Sequence, residues 1–175
     1  YGVNFEGASS TITNSGTIEA TQYGVNFEGA SSTITNSGTI SGTTARAINI
    51  AGSGSTITNE SEGTIQAGAS AWDADDLLAI LISANATNLT LENSGTITSG
   101  TDTIQTLSTG MTLTNYSGGT ISAQADASGL KAIFVDGNNN TIKNYGTISG
   151  AGDSSSINVD TGITGTNIVL GGSPT

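Results

Sequence analysis

The chain has no histidine and no cysteine, and only three cationic side chains, Arg46, Lys131 and Lys143. Each absence closes a class of chemistry. Without His or Cys there is no Ser-His-Asp or Cys-His relay. Disulfide staples and thiolate or imidazole metal ligands are excluded as well. Three scattered cations cannot bind an acidic polysaccharide and also take a proton from it. Against them stand 14 acidic residues, for a net charge of -11. A surface so acidic repels phosphate backbones and anionic lipid, so neither nucleic acid nor a membrane surface is the expected partner. No apolar run approaches the length of a bilayer span.

Apolar residues are also sparse. Leu, Ile, Val and Phe total 36 of 175 residues, close to the composition at which chains fail to bury enough surface to fold. Their arrangement decides the case.

Residues 1–18 recur unchanged at 23–40, a period of 22. Degenerate copies follow, each carrying Thr, then Ile or Leu, then any residue, then Asn. The Asn positions are Asn14, Asn36, Asn59, Asn93, Asn115 and Asn144. After each comes Gly-Thr-Ile, ending at Ile18, Ile40, Ile65, Ile97, Ile121 and Ile148. Nine and eleven residues upstream of four of the Asn lie the pairs Phe5/Val3, Phe27/Val25, Ile50/Ile48 and Val135/Ile133. Residues two apart share one face of a strand. Gly7, Gly29, Gly52 and Gly137 follow the pairs at a fixed offset, the place for a turn with positive φ.

The repeat therefore predicts three short strands per copy, at residues 1–5, 10–13 and 17–20 in the first. Identical residues at identical phases stack best in parallel, where inward Val, Phe and Ile form continuous columns and Asn side chains hydrogen-bond along the stack. An antiparallel meander would waste that phasing. The expected fold is all-β, a parallel β-solenoid of about seven three-strand coils of roughly 22 residues or more, forming one unit over residues 1–175. A degenerate seventh coil is expected around Ile157, Val159, Ile168 and Leu170. The six Asn are expected to align in one column as a structural ladder.

The pattern lapses at residues 71–88, where the interval between Gly-Thr-Ile motifs grows to 32 residues. Insertions in solenoids map to one face, often the binding face. This stretch is expected to bulge from the rod, with Trp72, Asp73, Asp75 and Asp76 as a candidate recognition loop. Residues 77–82 read equally as a strand buried on both sides or a short helical turn capped by Ser70.

Other candidates carry blander readings. Asp73, Asp75 and Asp76, or Asp136 with Asn138 and Asn140, could supply oxygens to Ca²⁺. Neither run fits a calcium-loop pattern, so solvated turns are expected, with no metal and no cofactor. Thr11/Thr13, Thr33/Thr35, Thr56/Thr58 and Thr112/Thr114 would form an outward array like an ice-binding surface. Glu92 and Lys143 interrupt it, and Thr is simply a soluble β-former. A Ser-Lys pair would need Lys131 or Lys143 beside a Ser in a pocket. Paired carboxylates remain formally open, and a side-chain-filled rod offers little cleft. No enzyme is expected.

The phrase Asn36-Ser-Gly-Thr-Ile-Ser-Gly42, echoed by Asn144-Tyr-Gly-Thr-Ile-Ser-Gly150, resembles the repeats of bacterial autotransporter passenger domains and related large β-helical adhesins. The likeness covers about residues 1–150. It implies a right-handed β-helix exported to the bacterial cell surface as a stalk, adhesin or matrix fibre. Host or neighbouring-cell glycans or proteins are the implied partners. A carbohydrate-binding or carbohydrate-processing solenoid is the alternative. Because the chain opens in mid-pattern at Tyr1, the expectation is a segment of a longer rod, its ends covered by flanking coils, or a subunit stacking end to end on copies of itself.

Overall fold

The computed structural model describes residues 1–68, 77–124, 129–152 and 155–171. They form a parallel β-solenoid with a strand on each of three sides, and no helix occurs among them. The first side stacks seven strands from Val3–Phe5 to Ile157–Val159. The second stacks seven from Thr11–Asn14 to Asn167–Leu170. The third stacks six from Thr17–Ala20 to Thr147–Ser149. Six complete coils and a partial seventh result.

The stacking is in register and like falls on like. Val3, Asn4 and Phe5 pair with Val25, Asn26 and Phe27. Thr11 to Asn14 pair with Thr33 to Asn36, and the same phase holds through Thr141 to Asn144. Alternation then sends every second side chain inward. Ile34, Ile57, Leu91, Leu113 and Ile142 form one fully buried column, and Ile40, Ile65, Ile97 and Ile121 another. Each such side chain contributes about 1.5–3 kcal/mol of burial, so the thin core gains strength only by adding coils.

Two features of the turns correct the sequence reading. The glycines at positions 7, 29, 52 and 137 do not carry positive φ. That conformation falls two residues later, at Ser9, Ser31, Gly54, Asn88, Gly110, Asn139 and Gly165, each five residues before the ladder position of its coil. Gly, Asn and Ser fill this column because their side chains tolerate the left-handed region best or bond locally within it. The earlier glycines answer a different demand. A Cβ on Gly29 would lie 2.2 Å from the carbonyl oxygen of Gly7, and one on Gly52 would lie 2.0 Å from that of Gly29. Backbone approaches backbone there, and no side chain fits between.

The second correction concerns residues 71–88. Its described part does not stand off the rod. Ile80–Ile82 is a strand of the first side, paired in parallel with Ile48–Ile50 before it and Ile104–Thr106 after it. Leu77, Leu78 and Ala79 to Ile82 are all buried. Ser99 donates to the Leu77 carbonyl at 2.7 Å, and Thr101 donates to the same oxygen. Ladder pairing on both edges settles strand over helical turn. Of the ten extra residues, two lie in the turn after this strand, where Ile82 to the left-handed Asn88 is six steps against four from Phe5 to Ser9. The other eight lie before it, where Ile65 to Ile80 is fifteen steps against seven from Ile18 to Val25.

Candidate functional site

Three polar constructions lie on this frame. The first is the internal amide ladder. Asn14 Nδ2 donates to Asn36 Oδ1 at 2.8 Å, Asn36 to Asn59 at 2.9 Å, and Asn59 to Asn93 at 2.8 Å. Asn93 donates to Asn115 at 2.7 Å and Asn115 to Asn144 at 2.8 Å. Every bond points forward along the chain. Each of the five donors also reaches the glycine carbonyl of its own turn and a threonine carbonyl of the next coil, as Asn59 does with Gly63 and Thr96. The four central amides, Asn36 to Asn115, are wholly buried. A buried amide without partners costs several kcal/mol, and the column satisfies them all. At the seventh coil Leu170 sits opposite Asn144, and the ladder stops.

The second construction is an outer ladder that sequence reasoning missed. Asn49 Nδ2 donates to Asn26 Oδ1, and Asn26 Nδ2 donates to Asn4 Oδ1, both at 2.7 Å. These bonds run backward along the chain. Arg46 Nη1 donates to the Tyr23 hydroxyl at 3.2 Å and to Asn49 Oδ1 at 3.4 Å. Its guanidinium lies 5.4 Å from the centre of the Tyr23 ring, and Tyr1 packs on Tyr23 at 5.3 Å. The signal was present in the repeated Val-Asn-Phe and Ile-Asn-Ile triplets, whose middle residue must face outward.

The third construction lies where the second side turns into the third. The outward residue before each ladder Asn is Thr13, Thr35, Thr58, Glu92, Thr114 or Lys143, and the residue after it is Ser15, Ser37, Glu60, Ser94, Tyr116 or Tyr145. Glu60 departs from the Thr/Ser rule on the third coil, and Glu92, Tyr116, Lys143 and Tyr145 depart from it on the next three. The Tyr116 hydroxyl donates to Glu92 Oε1 at 3.2 Å. Burial, the Glu92 charge and hydrogen bond, and nearby Tyr145 together hold the Tyr116 phenol above its ordinary 10.0. Backbone pairing places Lys143 beside Thr114, and Tyr145 one coil above Tyr116.

Trp72, Asp73, Asp75 and Asp76 lie outside the described residues. Asn138 and Asn140 are engaged in holding turns. Asn140 Oδ1 accepts from the Met111 N–H at 2.7 Å, and Asn138 Oδ1 accepts from the Thr164 N–H at 2.8 Å. Among the described residues no three His, Cys, Asp or Glu side chains converge, and no helix is long and apolar enough to cross a membrane. Comparisons with protein-family models, with curated proteins and with solved structures found no match.

Proposed function

We propose that this chain is a structural rod outside the cell, a stalk, adhesin shaft or matrix fibre at a bacterial surface. The observation that carries the reading is in-register stacking: identical residues fall on identical residues, with one amide column continuous through six coils. Such a body resists bending and has length as its adjustable property. The Asn-Ser-Gly-Thr-Ile-Ser-Gly phrase, which resembles autotransporter repeats, supports export by a comparable route.

Further stacking at the last coil is part of the same reading. Val159, Ile168 and Leu170 are exposed there, around an open recess of about 460 Å³ lined by Ile148, Ile157, Ile168 and Leu170 together with Asn144 and Ser156. Flanking coils, or another copy of the chain, would cover this apolar step. Immunogold labelling of producing cells tests the location; label confined to the cytoplasm overturns it. Electron microscopy of the purified chain over a concentration series tests self-stacking. Unchanging single rods would leave flanking coils as the covering and remove the self-assembling fibre.

A further inference from the structure

The repeat itself supplies a reference against which each coil can be judged. In the first two coils the corner between the second and third sides is built only from Thr and Ser: Thr13 and Ser15, then Thr35 and Ser37. Nothing about stacking requires more, since those coils hold the same strands in the same register as the later ones. The fourth to sixth coils nevertheless place a carboxylate, an ammonium and two phenols on that corner. Packing does not call for them either. Glu92, Tyr116, Lys143 and Tyr145 are all half-exposed, and none belongs to the core.

Four of the five departures lie together; the fifth, Glu60, stands alone on the third coil. Glu92 accepts from Tyr116, Tyr145 lies one coil above Tyr116, and Lys143 precedes Tyr145 by two residues on the same strand edge. Glu92 and Lys143 are two strands apart, roughly 10 Å, with the Thr114 hydroxyl between them. An acceptor, a donor, a hydroxyl and two aromatic faces are thereby set along one shallow strip.

We propose that Glu92, Tyr116, Lys143 and Tyr145 form a binding surface for a neutral oligosaccharide. Phenol rings offer apolar faces with polar rims, matching a pyranose, whose C–H faces are apolar and whose edge carries hydroxyls. Glu92 accepts from those hydroxyls, and Lys143 and the Tyr145 hydroxyl donate to them. A protein partner fits less well. A stable protein interface takes about 800 Å² per side around an apolar centre, and this strip has four such side chains and no Leu, Ile, Val, Phe or Trp. An acidic glycan is opposed by the net charge of -11. A shallow, open strip gives weak binding, with Kd in the region of ~1 mM.

The chain's own coils provide the control. The combined variant E92T/Y116S/K143T/Y145S rewrites the corner with the residues that the first coil already uses, so the fold is retained. The isotope-labelled 175-residue chain would be titrated with cellobiose, lactose and glucuronic acid to about 10 mM, recording amide shifts by NMR. The expected result is saturable shifts from cellobiose or lactose centred on Glu92, Tyr116, Lys143 and Tyr145, reduced at least tenfold in the rewritten chain. The proposal is overturned if neither neutral sugar shifts these amides or if the shifts survive the rewriting. A stronger response to glucuronic acid also overturns it. So does concentration-dependent self-association that the rewriting abolishes, since the strip would then be a contact between copies.

Discussion

The first two coils and the fourth to sixth stack in the same register from different sequences. The early coils are an unbroken copy over residues 1–18 and 23–40, 22 residues apart, with every column of the first two sides filled by the same side chain. The later ones change the outward corner, lengthen the turn at residues 83–88, and place Thr106 where the others carry Phe5, Phe27, Ile50, Ile82 and Val135. Register survives all of it. What the coils share is the ladder Asn with the Thr and the inward Ile or Leu before it, the Gly-Thr-Ile after it, and the left-handed residue five before it. Those positions define a coil; the lengths of the connections and the other outward residues vary.

The sharpest break of this comparison uses two glycines that are identical in sequence context. A Cβ on Gly38 would lie 2.0 Å from the Gly16 carbonyl oxygen, whereas one on Gly16 meets nothing within 4 Å. Gly38→Ala should therefore destabilise the chain by roughly 3 kcal/mol or more. Gly16→Ala should change it by less than about 1 kcal/mol. Urea denaturation followed by circular dichroism measures both, and equal losses would mean that the close approach is not what selects glycine.

The ladder comes next. Asn59→Ala removes the amide to which Asn36 donates and leaves the buried Asn93 oxygen without its side-chain donor. A loss of about 2–4 kcal/mol is expected. Asn144→Ala, at the last rung and partly exposed, should cost roughly 1 kcal/mol. A ladder that serves only local turns would show no difference between the two rungs.

A smaller effect tests the irregular fifth coil. Thr106 and Ser108 are buried with their hydroxyls 3.0 Å apart, and the Ser108 N–H donates to Thr106 Oγ1. Thr106→Val alone orphans that pair and should cost about 1 kcal/mol, whereas Thr106→Val with Ser108→Gly restores the pattern of the first three coils and the sixth and should be near neutral. Thermal melts of the two variants make the comparison.

The smallest effect is the pH response of the Tyr116 corner. Its phenol keeps its proton more tightly in the folded chain than in the unfolded one. The associated stability is intact below the ordinary 10.0 and is lost as pH rises through the higher folded value. Partial exposure keeps it well under ~1 kcal/mol. Glu92→Gln should move phenolate formation, followed by its ultraviolet absorbance, toward lower pH.

How much was legible in the sequence follows from this division. The second and third sides were readable because their motifs pair a fixed inward aliphatic residue with a fixed polar one, Ile12 with Asn14 or Leu113 with Asn115. The seventh coil was readable from the aliphatic pairs Ile157/Val159 and Ile168/Leu170, two residues apart, although Leu170 stands where the other coils carry Asn. Two strands of the first side were hidden. Ile104–Thr106 keeps the regular offset but carries a polar inward residue, satisfied by Ser108, so an apolar search passes over it. Ile80–Ile82 keeps the apolar pair but sits two residues further from its Asn, and outward Leu81 is buried too, which erases the alternation. Gly29 and Gly52 were assigned the wrong duty because a crowded glycine and a left-handed one look alike until the neighbouring coil is in place. Of the corner residues, Glu92 and Lys143 were visible only as interruptions of a Thr row and Tyr116 and Tyr145 carried no signal; three-dimensional stacking brings them together.

The forward direction of every bond in the internal ladder has an electrical consequence. Each carboxamide carries a dipole comparable to that of a peptide unit, and five donor bonds in one sense make the dipoles add. The oxygen-rich, negative pole lies toward Asn14 and the positive pole toward Asn144, the reverse of an α-helix. The outer ladder of Asn4, Asn26 and Asn49 opposes it over only three coils. The rod is thus a vector. Rods joined with their poles in sequence extend one continuous polarisation, whereas inverted junctions bring like poles together, so a fibre of such rods has a built-in direction of growth.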